Sequence, residues 1–439
     1  MIIAKSGSRV SDAEIREAAE RIRSAIDRQE LIDLILELGN IPSLAGYEKA
    51  AGDFVYEWMQ KESFAPKRVG MVPDRFNVIG RCGGDDPLNG RNLLFTSHLD
   101  TEAPQYNESD RWKYRPGSAD KPEWLQAKLE NGVFSGRPVE NDRGPMSCFL
   151  IGAKALKRAG LSMAGTLYLT ACPAEIGPEH VEEFRGPQFL GKEIGAQFMM
   201  THGGVAPDFA VAAEGTDFGI SWVSSGHANM RIDLYGEDVF TPLLEHPEEL
   251  RRHPSPLVKV APFIEALQRW CVDFEKRNIY RSPGGTAVPK VQIGAIRGGD
   301  PHLMGGGSEV CSVYVELTLT PVQTIADAQR ELERLLRSEG FEGRVEPIVF
   351  RKGFEADATE AAGLHRAFSR ASVSAGRGET PIAHSIYSSM WRDHNVFNMY
   401  GIPAVTYGPK RFRPTVDDMV DAAVVYGTTA WLVCNRLVE

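Results

Sequence analysis

Three short apolar runs, 92–98 (NLLFTSH), 166–172 (TLYLTAC) and 209–213 (FAVAA), each stop in polar residues, and no other feature of the chain constrains its fold as much. Unbroken runs of β-formers suit strands buried on both faces. Between the first two, 146–159 carries Phe149, Leu150, Ala153 and Leu156 at helical spacing. Strands alternating with helices predict an α/β unit: a central, mostly parallel mixed sheet with helices on both faces. In such sheets functional groups collect beyond the carboxyl ends of the strands. The first ninety residues read as helix, helix, strand, from Ile32, Ile35, Leu36 and Leu38, then Phe54, Val55 and Trp58.

From 220 to 350 the texture changes. MRIDLYG, VQIGAI and SVYVELTLTP alternate as half-exposed antiparallel strands do, and helices are expected at 262–275 and 325–338. After it, HRAFSRAS, IPAVTYGP and DMVDAAVVYGTTAWLVCNRL return to the α/β style. The chain therefore reads as a larger domain, 1–219 with 351–439, and an inserted α+β domain, 220–350. The glycine-rich stretch 298–307 lacks the Lys and the strand-to-helix setting of a phosphate loop.

Composition excludes several classes. With 49 Lys and Arg against 59 Asp and Glu, 49 − 59 gives a net charge of −10 over 439 residues, and no basic run offers a stripe for nucleic acid. No eighteen-residue apolar run is available to span a membrane, and the N-terminus turns charged too early for a secretory leader. Six scattered cysteines without a Cys-x-x-Cys pair read as buried thiols in a reducing, cytoplasmic setting.

The chemistry sits at the strand ends. His98 and Asp100 follow the first run, and an acid two residues on can fix an imidazole tautomer for metal binding. Asn141 and Asp142 offer oxygens just before a helix, Glu175 follows the second run and Glu214 the third. One imidazole plus carboxylates at successive strand ends is a ligand set for zinc, manganese or a similar ion.

On these residues the chain resembles the aminoacylase, desuccinylase and glutamate carboxypeptidase family of metallopeptidases, clan MH, over nearly its whole length. The resemblance implies a hydrolase of C–N bonds with a lid or dimerisation insert. His98 and Asp100 match the family's His-x-Asp. Arg143-Gly144 stands for Lys-Gly, which puts Asn141 at the metal-bridging position with Asp142 beside it. Glu175-Ile176 stands for Glu-Glu, with Glu175 as general base and Ile176 replacing a ligand of the second metal; the register Ala174-Glu175 is the alternative. Glu214 matches the fourth landmark, with Gly215 for Pro. After Tyr407-Gly408-Pro409, Pro414 or Thr415 stands where the second metal's His belongs. The resemblance thus implies one divalent transition metal per chain, zinc or manganese, on His98, Glu214 and Asn141 or Asp142.

It further implies a homodimer in which a lid histidine, His253 or else His227, helps hold the oxyanion of the neighbouring subunit. Arg251, Arg252 and Arg297 are candidates to clamp a substrate carboxylate. The stretch 388–395 (SSMWRDHN) resembles the family's Ser/Thr-Asp segment; Asp393 and Trp391 are taken as substrate-binding, and His384 or His394 as replacement ligands. Tyr387, Trp391, Tyr407 and Phe412 are core or pocket wall. Expected substrates are small carboxylated molecules, N-acyl amino acids or dipeptides. The alternatives are removal of an amine from an activated aromatic ring, such as a nitroanthranilate, and a non-catalytic binding or structural dimer.

Overall fold

A computed structural model describes residues 10–84, 86, 88–102, 110–118, 121–302 and 305–437. The expectations about residues 1–9 and part of the glycine-rich loop at 298–307 fall outside this set. The chain forms two compact units. The first takes the described residues up to Trp222, Ala356–His384 and those from Arg392 onward; the second takes Val223–Glu355 and Ser385–Trp391. These limits lie a few residues from the 220 and 350 expected from the change of texture, and the return at 385–391 is not marked in the sequence pattern.

In the first unit seven strands form one mixed sheet, in the order Lys67–Val72, Arg75–Gly83, Thr166–Cys172, Leu93–His98, Phe209–Ala213, Ala404–Tyr407, Ile220–Ser221. The four central strands run parallel, and the outer ones are antiparallel. All six residues of Leu93–His98 are buried, as a strand covered on both faces requires. Helices Gly144–Arg158 and Val416–Cys434 pack on each other and on this sheet. Gly152 permits their close approach, since a Cβ there would meet the carbonyl oxygen of Ala423. Between them Phe95 and Tyr426 meet edge to face at 5.2 Å, and Tyr426 donates to the Tyr407 carbonyl at 2.7 Å.

Three helices, Asp12–Ala25, Arg28–Gly39 and Lys49–Lys61, precede the sheet. The first starts on a capping box in which Ser11 and Glu14 satisfy each other's backbone N–H groups. Five of the six free cysteines are buried.

The second unit is a four-stranded antiparallel sheet, Val291–Gly298, Val310–Leu319, Gly226–Tyr235, Gly343–Arg351. Its inward residues, Ala228, Met230, Ile232 and Leu234 with Val313, Val315 and Leu317, pack against Phe263 and Leu267 of helix Pro256–Arg277 and Leu332 of Ile325–Ser338. The first helix begins at Pro256, not 262, because Ser255 caps it and Pro256 takes the first turn, where a missing N–H is harmless. Among the described residues no helix is long and apolar enough to cross a membrane.

Candidate active site

The four parallel strands end side by side, and the segments leaving them bring together groups from five distant stretches of the first unit. His98 is the last residue of its strand and is buried. Its Nδ1 donates to the Asp100 carbonyl oxygen at 2.8 Å, while Nε2 lies 3.1 Å from Asp142 Oδ2 and 4.0 Å from Glu175 Oε2. The Asp100 carboxylate accepts the backbone N–H groups of Glu175 at 3.1 Å and Ile176 at 2.8 Å, so one buried acid braces the turn that carries Glu175. Arg143 is buried too. It donates to the carbonyls of Leu38 and Leu99, pinning the backbone between His98 and Asp100.

Asn141 and Asp142, joined by a cis peptide, diverge. Asp142 faces His98, and its other oxygen accepts from Gly215 N at 3.4 Å; Asn141 Oδ1 instead accepts from Arg411 Nη2 at 3.4 Å. Glu214, which follows strand Phe209–Ala213, forms an ion pair with the buried guanidinium of Arg392. Gly215 lets the chain at Arg411 approach, because a Cβ at 215 would come within 2.8 Å of the Arg411 Cα.

The electrostatics follow from this crowding. Burial alone lowers the His98 pKa, but its contacts to Asp100 and Asp142 and the charge of Glu175 outweigh it, and the imidazole is held well above its usual range. Burial, then the charge of Glu175, pushes the Asp393 carboxyl up to about 7. Burial, then repulsion from Arg411, brings Arg392 down to about 10, while Asp142, Glu175 and Asp393 act in the other direction.

The expected metal ligands do not assemble. Arg392 holds Glu214, Arg411 faces Asn141, and only Asp142 joins His98 directly. Among the described residues no three His, Cys, Asp or Glu side chains come together as a cation-holding group. In this arrangement the guanidinium of Arg392 sits on the Glu214 carboxylate that the resemblance assigns to a metal ion.

The two replacement histidines do not complete the set. His384 is exposed, and His394 is tied through Nδ1 to Thr406 Oγ1 at 2.8 Å. Thr415 caps helix Val416–Cys434 in a capping box with Asp418, which is its evident work. Burial pushes His394 from its ordinary 6.5 down to about 3. As pH falls below about 6.5 the unfolded chain takes up this proton first, so the stability due to neutral His394 is full above that pH and is lost below it. His394→Asn should therefore gain on the parent protein by about 1 kcal/mol between pH 6.5 and 5.5, read from urea midpoints.

The remaining candidates belong to the second unit. His253 is buried there, accepting from Ser255 N at 3.1 Å with Nε2 3.3 Å from His246 Nδ1. His227 lies 3.5 Å from Glu316. Arg251 pairs with Glu339 and the exposed Arg252 with Glu249, while Arg297 lies over the Tyr314 ring. Trp391 ends the short return of chain at 385–391. The side chains that sit on Glu214 and Asn141 are Arg392 and Arg411, neither of which is among the residues expected in the site. The signal was present, since Arg392 occupies the Ser/Thr position of the Ser/Thr-Asp segment.

No family model matches the chain. A curated relative, the N-formyl-4-amino-5-aminomethyl-2-methylpyrimidine deformylase of Bacillus subtilis, is 23% identical over 179 residues, 40% of this chain and 33% of its own length. The chain thus spans about a third of the length of the curated relatives it matches. Among solved structures, a tripeptidase of Staphylococcus aureus superposes with a TM-score of 0.63 at 14% identity, covering 94% of this chain and 99% of that one. A Bacillus subtilis protein described as a dinuclear metal-binding peptidase of the M20 family gives 0.59 at 13% identity, over 93% and 98%. The fold is therefore that of M20 metallopeptidases, and these relatives and neighbours are hydrolases of carbon–nitrogen bonds.

Proposed function

We propose that this protein hydrolyses a C–N bond in a small carboxylated substrate, an N-acyl amino acid or short peptide, at the strand ends of its first unit. One observation carries the reading: Glu175 is held by Asp100 through the backbone, near the buried imidazole of His98, among groups that can move protons. In this reading the Glu175 carboxylate takes a proton from water, the hydroxide attacks the carbon, and the nitrogen leaves with a proton when the C–N bond breaks. The fold shared with the tripeptidase and the partial sequence likeness to the deformylase support it.

The single divalent ion implied by the resemblance is not carried into this scheme, since the cation beside Glu214 is Arg392. Metal analysis of the purified full chain should find well under one tightly held equivalent of zinc or manganese. One equivalent that is lost in His98→Ala would instead mean that an ion displaces Arg392. A second reading, a binding protein on a hydrolase fold, is favoured by that same occupied carboxylate. A panel of N-acyl amino acids, dipeptides and amino-substituted aromatic acids, assayed for released amine or ammonia with and without chelator, separates the two. Turnover of an acyl amino acid or dipeptide supports the proposal; ammonia from aromatic acids alone favours the aminohydrolase; binding without turnover favours the scaffold.

We also propose a homodimer formed through the second unit. Strand Val291–Gly298 is an edge of its sheet and is mostly exposed, with Ile296 half in solvent, the kind of edge that pairs with a copy of itself. His253, or else His227, would then act across the subunit boundary, and a sedimentation mass of one chain would end this part of the proposal.

A further inference from the structure

Arg392 is 3% exposed, yet its guanidinium is only partly used. Nη1 lies on Glu214, whereas Nε and Nη2 are buried with no hydrogen-bond partner among the described residues. These two nitrogens form one edge of the planar fork, the edge that receives a carboxylate through two parallel N–H···O bonds. Arg411 adds to it. Its backbone N–H is fixed by Asp217 Oδ1 at 3.0 Å and its Nη2 by Asn141, while Nη1 is buried without a partner among the described residues. Unmade hydrogen bonds from buried guanidinium groups are costly, so three such donors in one site point to a ligand that accepts them.

The charge around the donors narrows the ligand. Asp142, Glu175 and Asp393 act on Arg392 as negative charges, as does its partner Glu214. A dianion such as phosphate would meet strong repulsion from four acids; a planar monoanion fits both the charge and the shape. We infer that Arg392 and Arg411 form a carboxylate receptor in the first unit, with the Nε/Nη2 edge of Arg392 taking both oxygens and Arg411 Nη1 a third hydrogen bond. Arg392 has two roles here: it neutralises Glu214 where a metal ion would otherwise be needed, and it anchors the substrate. Gly215 is a further part of the device, because any side chain there would displace Arg411. The inference rests on the reading of this site as one for a carboxylated substrate.

The test uses binding to the full chain, so its outcome is independent of turnover. Acetate and benzoate are titrated calorimetrically beside acetamide and benzamide, their neutral analogues of the same shape, and beside inorganic phosphate. The carboxylates should bind and the amides should bind at least about tenfold more weakly, as charge-assisted bonds to a fork require. Arg411→Met, at a half-buried position, should weaken carboxylate binding about tenfold, and the charge-balanced pair Arg392→Met with Glu214→Gln should abolish it. Equal binding of acids and amides, tighter binding of phosphate, no binding at all, or unchanged binding in folded Arg411→Met would each overturn the receptor. Loss of hydrolysis with carboxylate binding intact would count against the proposed function alone.

Discussion

Glu175→Gln is expected to lower kcat by about 10²- to 10⁴-fold, the span a positioned general base contributes, with little change in fold. The substitution is isosteric, and the contact that positions residue 175 is its backbone N–H on Asp100, which survives. What disappears is the ability to accept a proton from water. A second signature accompanies the loss. Asp393 is held near 7 first by burial and then by the charge of Glu175, so its carboxyl should titrate lower in the variant. Rates over pH, together with circular dichroism, distinguish this from unfolding. Turnover at the parental rate would remove Glu175 from the mechanism.

The largest expected loss of stability lies outside the chemistry. Arg75 and Glu48 are 2% and 1% exposed and form a two-pronged ion pair, Nε to Oε2 at 2.8 Å and Nη2 to Oε1 at 2.6 Å. The third nitrogen of Arg75 donates to the carbonyls of Pro187 and Leu190, so this one side chain ties helix Lys49–Lys61, strand Arg75–Gly83 and the loop at 187–190 together. Burial pushes the Glu48 carboxyl up even with Arg75 beside it, a sign of how costly an uncompensated charge is here. Arg75→Met should therefore destabilise by about 3–5 kcal/mol, because it strands a buried carboxylate. Adding Glu48→Met should recover much of that loss. Urea unfolding of the two single variants and the double measures the coupling, and additive losses would mean that the pair does not act as a unit.

The strands were legible because burial on both faces leaves an unbroken apolar run. The runs at 166–172 and 209–213 appear in the fold with the same limits, and 92–98 begins one residue later. The acids and His98 were legible because they follow those runs at the end where parallel strands leave the sheet. Which of Asn141 and Asp142 meets His98 was not, since neighbouring residues in a turn point in directions that local backbone geometry sets. The role of Arg392 is hidden in the sequence for a different reason. A single arginine in a sequence reads as a solvated surface charge, and only the packed fold shows it buried against Glu214. The cations of the inserted domain drew attention because they sit in an obvious loop, yet Arg251 and Arg252 are paired with glutamates of their own unit.

Where the second unit begins and ends has a consequence for how such a chain folds. The ends of its main segment, Val223–Glu355, are joined, Val223 and Ser224 pairing antiparallel with Phe354 and Glu355. Just outside them, in the first unit, Ala356 N donates to Trp222 O at 3.0 Å. Residues 222 and 356, more than a hundred positions apart, are thus as close as the two arms of a hairpin. The entropy of closing so long a loop grows only with the logarithm of its length, about 0.6 kcal/mol per doubling, and a folded insert removes most of even that cost by presenting its own ends already side by side. For the first unit, the segment Val223–Glu355 is topologically a tight turn: its outer loops can be lengthened with little entropic penalty to the sheet that carries the acids.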